Sequence, residues 1–498
     1  MSALVLSALL SLAAFPARQE PDGFAALAER VRERELANGL RVIVLPYGEA
    51  PVVSFHVRVA VGAIDEPVGR TGLAHFAEHM AFKGSPRIGS RDWPAERAAL
   101  ETCDRAWRAL ERAEAVGAPP ERRAELEAAF EAARAAADRL TDTGAFDRVM
   151  ETAGGRNSNA STGADATDYF VSLPAGRMET WFWLAREMFG APVMREFYKE
   201  RDVVIEERRM RTDGSPFGAA LESLLQAAFV AHPYRDPTIG HLDDLRHLDR
   251  PEMIDFWRRH YTADRMILAV VGRVDPERVF ALAETYLGDL PRGLEPRPRR
   301  TAEPPPRGPR SAEVVLQASP FALAAWPVPA LTGRRHLLHL ALADLLAGGP
   351  ASRLHRALVQ EAGLAVEVEA IAGFPGRLDP TLFALLLVPA PGVSPADCVE
   401  RAQAEIDRLA AEGPSPEELE AVRRRTEIAF LEAAEDAAGL AAALAEAEDL
   451  DGGWRQLFRA PAILHRFGPE DFRRAAGRLK AAARTTVLLA PPAEEVQG

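Results

Sequence analysis

His75, Glu78 and His79 lie in the stretch Gly72-Leu73-Ala74-His75-Phe76-Ala77-Glu78-His79-Met80 and form an H-x-x-E-H pattern. On a helix, two histidines four residues apart project from one face, so both imidazoles can grip a single metal ion. Glu78 stands beside them without having to be a ligand, where it could take a proton from a water held at the metal. The order reverses the commoner H-E-x-x-H arrangement. Leu73, Phe76, Ala77, Met80 and Phe82 make the surrounding helix apolar, and ionisable groups among buried neighbours must be satisfied by one another or by an ion.

Catalytic zinc sites usually have three protein ligands and one open position, so two histidines need a partner. The best source is Phe197-Tyr198-Lys199-Glu200-Arg201-Asp202-Val203-Val204-Ile205-Glu206-Glu207-Arg208-Arg209-Met210. At 100° per residue Glu200 and Glu207 nearly eclipse one another and project between Val203 and Val204 on the apolar side, while Glu206 points away. Glu207 is the better ligand candidate, and Glu200 on the same face could hold either Glu207 or a histidine. The competing reading is an acidic helix in solvent with Glu–Arg pairs at i,i+4, and periodicity alone does not choose between them.

These helices need a frame. Glu35 to Leu45 carries an Asn38-Gly39 turn between strand-like residues and predicts a hairpin. Val53, Phe55, Val57 and Val59 alternate with Ser54, His56 and Arg58, the pattern of a strand with one buried face; His56 falls on the polar side, as a solvated residue rather than a ligand. Residues from about 92 to 140 are rich in Ala, Glu and Arg and break at Gly117-Ala118-Pro119-Pro120, which predicts a charged helical hairpin inserted into the domain and mostly solvent-exposed. Gly154 to Thr162 reads as a polar Gly-led turn leading into a strand at Tyr169–Leu173. Helices are expected at about 178–190 and 195–211, and a buried strand at Met266–Val271. Proline density between Pro291 and Arg310 forbids a helix interior or central strand and marks a semi-rigid linker. Beyond it the chain repeats the first half in coarse outline without a residue-level repeat.

At 498 residues the chain is too long for one core and should split into at least two domains. A formal net charge of −13 leaves no basic surplus to displace counterions from phosphates, which argues against a nucleic-acid partner. The two cysteines, Cys103 and Cys398, lie in different halves and define neither a disulfide framework nor a thiolate metal site. Residues 1–20 open with an apolar run of signal-peptide length but carry no Lys or Arg before Arg18. Export to a periplasmic or extracellular location is the expectation, with no membrane span after signal removal.

Taken together, the residues resemble the M16 peptidases, the pitrilysin, insulinase and mitochondrial-processing-peptidase group. The matches run in order from Asn38-Gly39-Leu40 through Asp65-Glu66-Pro67, the H-x-x-E-H helix with Phe82-Lys83-Gly84, and Ser158-Asn159-Ala160-Ser161-Thr162 with Asp165, Thr167 and Tyr169. They continue with Glu200 to Glu207, His232-Pro233-Tyr234, Val270 to Asp275, Gly348 to Leu354 and Glu361-Ala362-Gly363-Leu364-Ala365. The resemblance implies an α+β fold of two similar domains, residues 25–290 and 311–492 around a 291–310 linker, each an antiparallel sheet packed on one face by helices. It implies zinc held by His75, His79 and Glu207, with Glu78 as the base and Glu200 as a supporting acid. Asn159 and Ala160 fall where the family pairs an extended peptide against a sheet edge. The expected reaction is zinc-dependent endoproteolysis of peptides or unfolded polypeptides, Glu78 activating the water and returning its proton to the leaving amine.

One departure stands out. Active members of the group complete the oxyanion site with an Arg and a Tyr from a C-terminal domain, and those positions fall on Val359 and Val366 here. The last tyrosine of the chain is Tyr286, ahead of the linker. The resemblance therefore implies a second M16-like subunit supplying the pair, as a heterodimer. Its alternatives are a self-sufficient homodimer with another donor, or a non-catalytic assembly or peptide-binding subunit.

Overall fold

The computed structural model describes residues 26–293, 300–433 and 435–492. The expected signal peptide, residues 1–20, lies outside the described residues, as does the middle of the expected linker. The first sheet comprises β1 (Arg32–Glu35), β2 (Arg41–Pro46), β3 (Val52–Val59), β4 (Arg156–Thr162), β5 (Thr167–Pro174) and β6 (Met266–Gly272), in the spatial order β1-β2-β6-β3-β5-β4. The second comprises β7 (Arg310–Val315), β8 (Phe321–Val328), β9 (Ala365–Phe374), β10 (Thr381–Pro389) and β11 (Thr485–Ala490), in the order β7-β11-β8-β10-β9.

With β1 set aside the two orders are the same permutation, which gives the coarse repeat of the sequence a structural form. Each sheet contains one parallel pair, β2 with β6 and β7 with β11, because the last strand of each unit returns beside its first. The other pairs are antiparallel, so the expected antiparallel sheets are mixed by one pair each.

Both faces of each sheet are covered, a departure from the single packed face expected. One face of the first sheet carries Phe55, Val57 and Val171 against its own helices, including the site helix residues Phe76 and Met80. The other face, with Ile43, Leu45, Ile267 and Val271, packs against Leu440, Ala441 and Leu444 of the Ala437–Leu450 helix from the second half. The exchange is reciprocal: Ala220, Leu224 and Leu225 of the Pro216–Ala228 helix, from the first half, cover Leu323, Leu382 and Val487 of the second sheet.

This covering explains why His56 is buried instead of solvated. Its Nε2 meets Asp168 Oδ1 at 2.8 Å, and Arg58 bridges Asp168 at 2.8 Å and Asp449 of the second half at 2.9 Å. A polar strand face has thus become a layer between the two halves in which His56, Arg58, Asp168 and Asp449 pair with one another.

The helical insert, Trp93–Ala115 and Pro120–Asp138, is less exposed than its composition suggests. Trp107, Phe130 and Tyr198 pack in tilted and edge-on arrangements with ring centroids 5.1 to 5.2 Å apart, tying the hairpin to the Phe197–Arg208 helix. Glu96 is fully buried and accepts a 2.7 Å bond from Arg195 Nε. The remaining Arg195 donors reach the carbonyls of Lys83, Ser85 and Ile88, so the insert neutralises the cation that organises the loop after the site helix.

The linker is also fastened where it is described. Arg300 bridges Asp65 at 3.1 Å and Asp379 at 3.2 Å, and Glu303 accepts the amides of Val230, Ala231 and His232 at 2.9 to 3.0 Å.

Candidate metal centre

The site helix, Leu73–Ala81, starts at Gly72, which takes φ +89°, a conformation glycine adopts without steric cost. A Cβ there would meet Leu245 Cδ2 at 2.7 Å and Ile239 O at 2.8 Å. Glu66 caps the helix, accepting the Gly72 amide at 2.8 Å and the Ala74 amide at 2.7 Å. Burial raises the Glu66 carboxyl well above its ordinary range, opposed by these two N–H donors at the positive end of the helix. Leu73, Phe76, Ala77 and Met80 drive the helix onto the sheet, which leaves His75, Glu78 and His79 on its opposite edge.

The Phe197–Arg208 helix lies alongside and presents Glu200 and Glu207 to them. Glu207 Oε2 lies 3.4 Å from His79 Nε2 and 3.8 Å from His75 Nε2. One ligand atom from each of His75, His79 and Glu207 fits within 4.8 Å of the others. Tetrahedral ligands at about 2.0–2.1 Å from an ion stand about 3.4 Å apart, so these residues could close on one ion with small side-chain shifts. His75 Nδ1 is buried without a hydrogen-bond partner, and Nε2 is the ring nitrogen turned toward Glu207.

Glu200 stands behind the candidate ligands. Its Oε1 meets His79 Nδ1 at 3.0 Å and its Oε2 meets Lys83 Nζ at 2.5 Å. That bond fixes the His79 ring with Nε2 toward Glu207. Val203, placed by periodicity on the apolar side, is 48% exposed, whereas Val204 is buried. Glu206 points away and pairs with Arg209 at 3.0 Å.

The titration behaviour follows from these neighbours. Burial and the proximity of His79 lower His75 to about 4, so its lone pair is free at neutral pH. Burial also works against a charge on His79, but its bonds to Glu200 and Glu207 prevail and raise it to about 9. Burial opposes ionisation of Glu200 as well, yet His79 and Lys83 hold it at about 2. Burial raises Glu78 above the ordinary carboxyl range, against the 2.5 Å bond that Thr162 Oγ1 donates to its Oε2. A carboxylate moved up toward neutrality is better matched to accepting and returning a proton.

Asn159 and Ala160 lie on β4, the last strand of the first sheet, rather than in a turn. The polar composition of β4 conceals it, because an edge strand with an irregular register and φ +53° at Asn157 has little apolar alternation to show. Thr162, at its end, connects the edge directly to Glu78.

Val359 packs against the core of the second domain, and Val366, at the start of β9, is 56% exposed. Neither side chain can donate a hydrogen bond. Three residues without an assigned role in the sequence also belong to the site: Thr162, Lys83 and Arg211, whose Nη1 lies 2.6 Å from Glu207 Oε1. Of these, Arg211 was accessible to the i,i+4 rule, while Thr162 and Lys83 reach the site through contacts that local spacing does not specify.

A family model described as Insulinase (Peptidase family M16) matches residues 42–99, and one described as Peptidase M16 inactive domain matches residues 247–426. Zinc protease PqqE of Helicobacter pylori is 27% identical over 428 residues, covering 84% of this chain and 84% of that protein. An uncharacterized zinc protease of Mycobacterium tuberculosis is 28% identical over 358 residues, 71% of this chain and 69% of that one. In fold, the chain is similar to the crystal structure of a protease from Helicobacter pylori, with TM-score 0.77 and 24% identity over 93% of this chain and 99% of that one. It is also similar to the periplasmic protease PqqL of Escherichia coli, with TM-score 0.67 and 18% identity over 93% of this chain and 48% of that one.

Proposed function

Because this chain belongs to the M16 peptidase family, we propose that it is the zinc-bearing subunit of an endopeptidase acting on peptides or unfolded polypeptides. The observation that carries the reading is the convergence of His75, His79 and Glu207 within 4.8 Å, with Glu78 beside them. Two imidazoles and a carboxylate suit zinc, and these three side chains would hold it. When bound, zinc supplies Lewis-acid chemistry that polarises a peptide carbonyl and acidifies a water.

The chain's own residues do the rest. Glu78 takes the proton of the attacking water and returns it to the departing amine. Thr162 holds one oxygen of Glu78 and leaves the other to work. Glu200, anchored by Lys83, keeps the His79 ring turned toward Glu207. Asn159 and Ala160 offer an open strand edge along which an extended peptide could lie, its backbone bonding in place of a further strand.

A second M16-like subunit carrying the Arg and Tyr would complete the oxyanion site, for which Val359 and Val366 offer no donor. Export fits the apolar run at the N-terminus and the periplasmic location stated for the Escherichia coli relative. Among the described residues no helix is long and apolar enough to cross a membrane.

The test is cleavage of an unfolded polypeptide by the chain alone and by the chain mixed with such a partner. Chelator-sensitive cleavage that Glu78→Gln abolishes is the expected result; its absence from both preparations removes the peptidase reading. The two valines also favour a second reading, a non-catalytic subunit that holds peptides. Zinc-dependent peptide binding without cleavage in the mixture would establish that one instead.

A further inference from the structure

Arg211 lies where the Phe197–Arg208 helix widens into a π-helical turn, Arg209–Asp213, closed by the Gly214 amide on Arg209 O at 2.7 Å. Such wide turns are rare and occur frequently at functional sites. This one is held firmly in place. A Cβ on Gly218 would stand 2.1 Å from Arg211 O and 2.9 Å from Thr212 Cα, so the Pro216–Ala228 helix rests against the turn through a bare glycine. The same helix is buried against the second sheet through Ala220, Leu224 and Leu225. Arg208, at the start of the turn, donates to Gly240 O at 2.6 Å and pairs with Glu222 at 2.9 Å.

The turn presents the Arg211 guanidinium to Glu207 Oε1, the oxygen left over when Oε2 faces His75 and His79. A guanidinium has five N–H donors on three nitrogens, and this ion pair engages one nitrogen, Nη1. The Arg211 side chain is 53% exposed, so donors beyond this contact are open to solvent and to a ligand that enters beside Glu207. A cation held beside a candidate carboxylate ligand suits an oxygen that gains negative charge close by.

We propose that Arg211 donates to the scissile carbonyl oxygen as charge develops on it, a role for which Val359 and Val366 offer no group. The inference rests on the peptidase reading. No bond to Arg211 is made or broken and its proton is not transferred; its hydrogen bond shortens and strengthens as the oxygen becomes anionic. The first domain then carries a donor of its own, and a second subunit would add to it.

The test uses zinc-loaded full-length chain and two probes measured by calorimetry. One is a phosphinic pseudopeptide, which carries the anionic oxygen; the other is the matching amide peptide, measured on Glu78→Gln to prevent cleavage. Arg211→Gln should keep one zinc per chain, lose about tenfold to a hundredfold in phosphinic affinity, and change amide affinity by less than about threefold. Arg211→Lys, which keeps the charge without the fork, should fall between wild type and Arg211→Gln.

Equal loss for both probes, no loss for either, or loss of zinc from Arg211→Gln overturns the assignment and leaves Arg211 as a support for Glu207. If zinc-loaded wild type does not bind the phosphinic probe, the peptidase reading falls with it. If wild type binds the probe and Arg211→Gln binds it as tightly, the Arg211 assignment alone falls.

Discussion

Glu200 reaches His79 through Nδ1 at 3.0 Å, so the other ring nitrogen, Nε2, is the one that faces Glu207. Glu200, which would orient His79, and Glu207, a candidate ligand, are on one helix, seven positions apart. Glu200→Ala should leave the fold intact and weaken zinc binding by about tenfold to a hundredfold, the usual cost of losing a group that orients a metal-binding histidine. Competition with a chromophoric chelator measures it. Unchanged zinc affinity would mean that Glu200 and Lys83 are only a surface ion pair.

Zinc binding should depend steeply on pH. In the metal-free chain His79 is raised from 6.5 to about 9, so the stabilisation from its proton is fully present below 6.5 and is lost as pH rises through about 9. Zinc must displace that proton, whereas His75, lowered to about 4, offers none at neutral pH. Zinc affinity should climb about tenfold per pH unit up to about pH 9 and then level off, with close to one proton released per zinc at pH 7. Calorimetry in buffers of different ionisation enthalpy counts the proton; a count near zero would contradict the His79 environment described.

Glu96→Ala should destabilise the protein by about 3–5 kcal/mol, because it leaves Arg195 buried without its carboxylate. Denaturant unfolding measures the loss. The same change should loosen the Lys83–Ile88 loop and so weaken zinc binding, although Glu96 belongs to the insert and touches none of the candidate ligands. A loss below about 1 kcal/mol would show the hairpin to be an appendage.

Leu444→Ala, in the second half of the chain, should cost about 2–5 kcal/mol and lower the unfolding midpoint of the first sheet, whose covered face it packs against. A fluorescence probe at Trp181, which stacks on Phe55 of β3, should report the same transition as circular dichroism. Two separate transitions, with the first domain unaffected by the substitution, would contradict the reciprocal packing.

Much of the site geometry is legible in the sequence because helices impose it. The four-residue step from His75 to His79 and the seven-residue step from Glu200 to Glu207 need only the helical period to bring each pair onto one face. The cross-chain partners are different. Thr162 meets Glu78 and Lys83 meets Glu200 through the packing of separate segments, which no local spacing encodes. β4 is hidden for another reason: Arg156 to Thr162 is polar because it lies at an edge, and the alternation rule detects strands by the face they bury. His56 and Arg58 mislead in the opposite sense, since the layer that buries them comes from Asp449 and its helix, almost 400 residues later.

The exchanged helices also impose an order on synthesis. When Gly272 leaves the ribosome the first sheet has all its strands, but the Ala437–Leu450 helix that seals Ile43, Leu45, Ile267 and Val271 has not yet been made. At about 5–20 residues per second, that apolar face waits roughly 9 to 36 seconds for its cover. A nascent first half is therefore a natural client for a holding chaperone, and a premature stop anywhere before Ala437 leaves a sticky, aggregation-prone fragment instead of a smaller working enzyme.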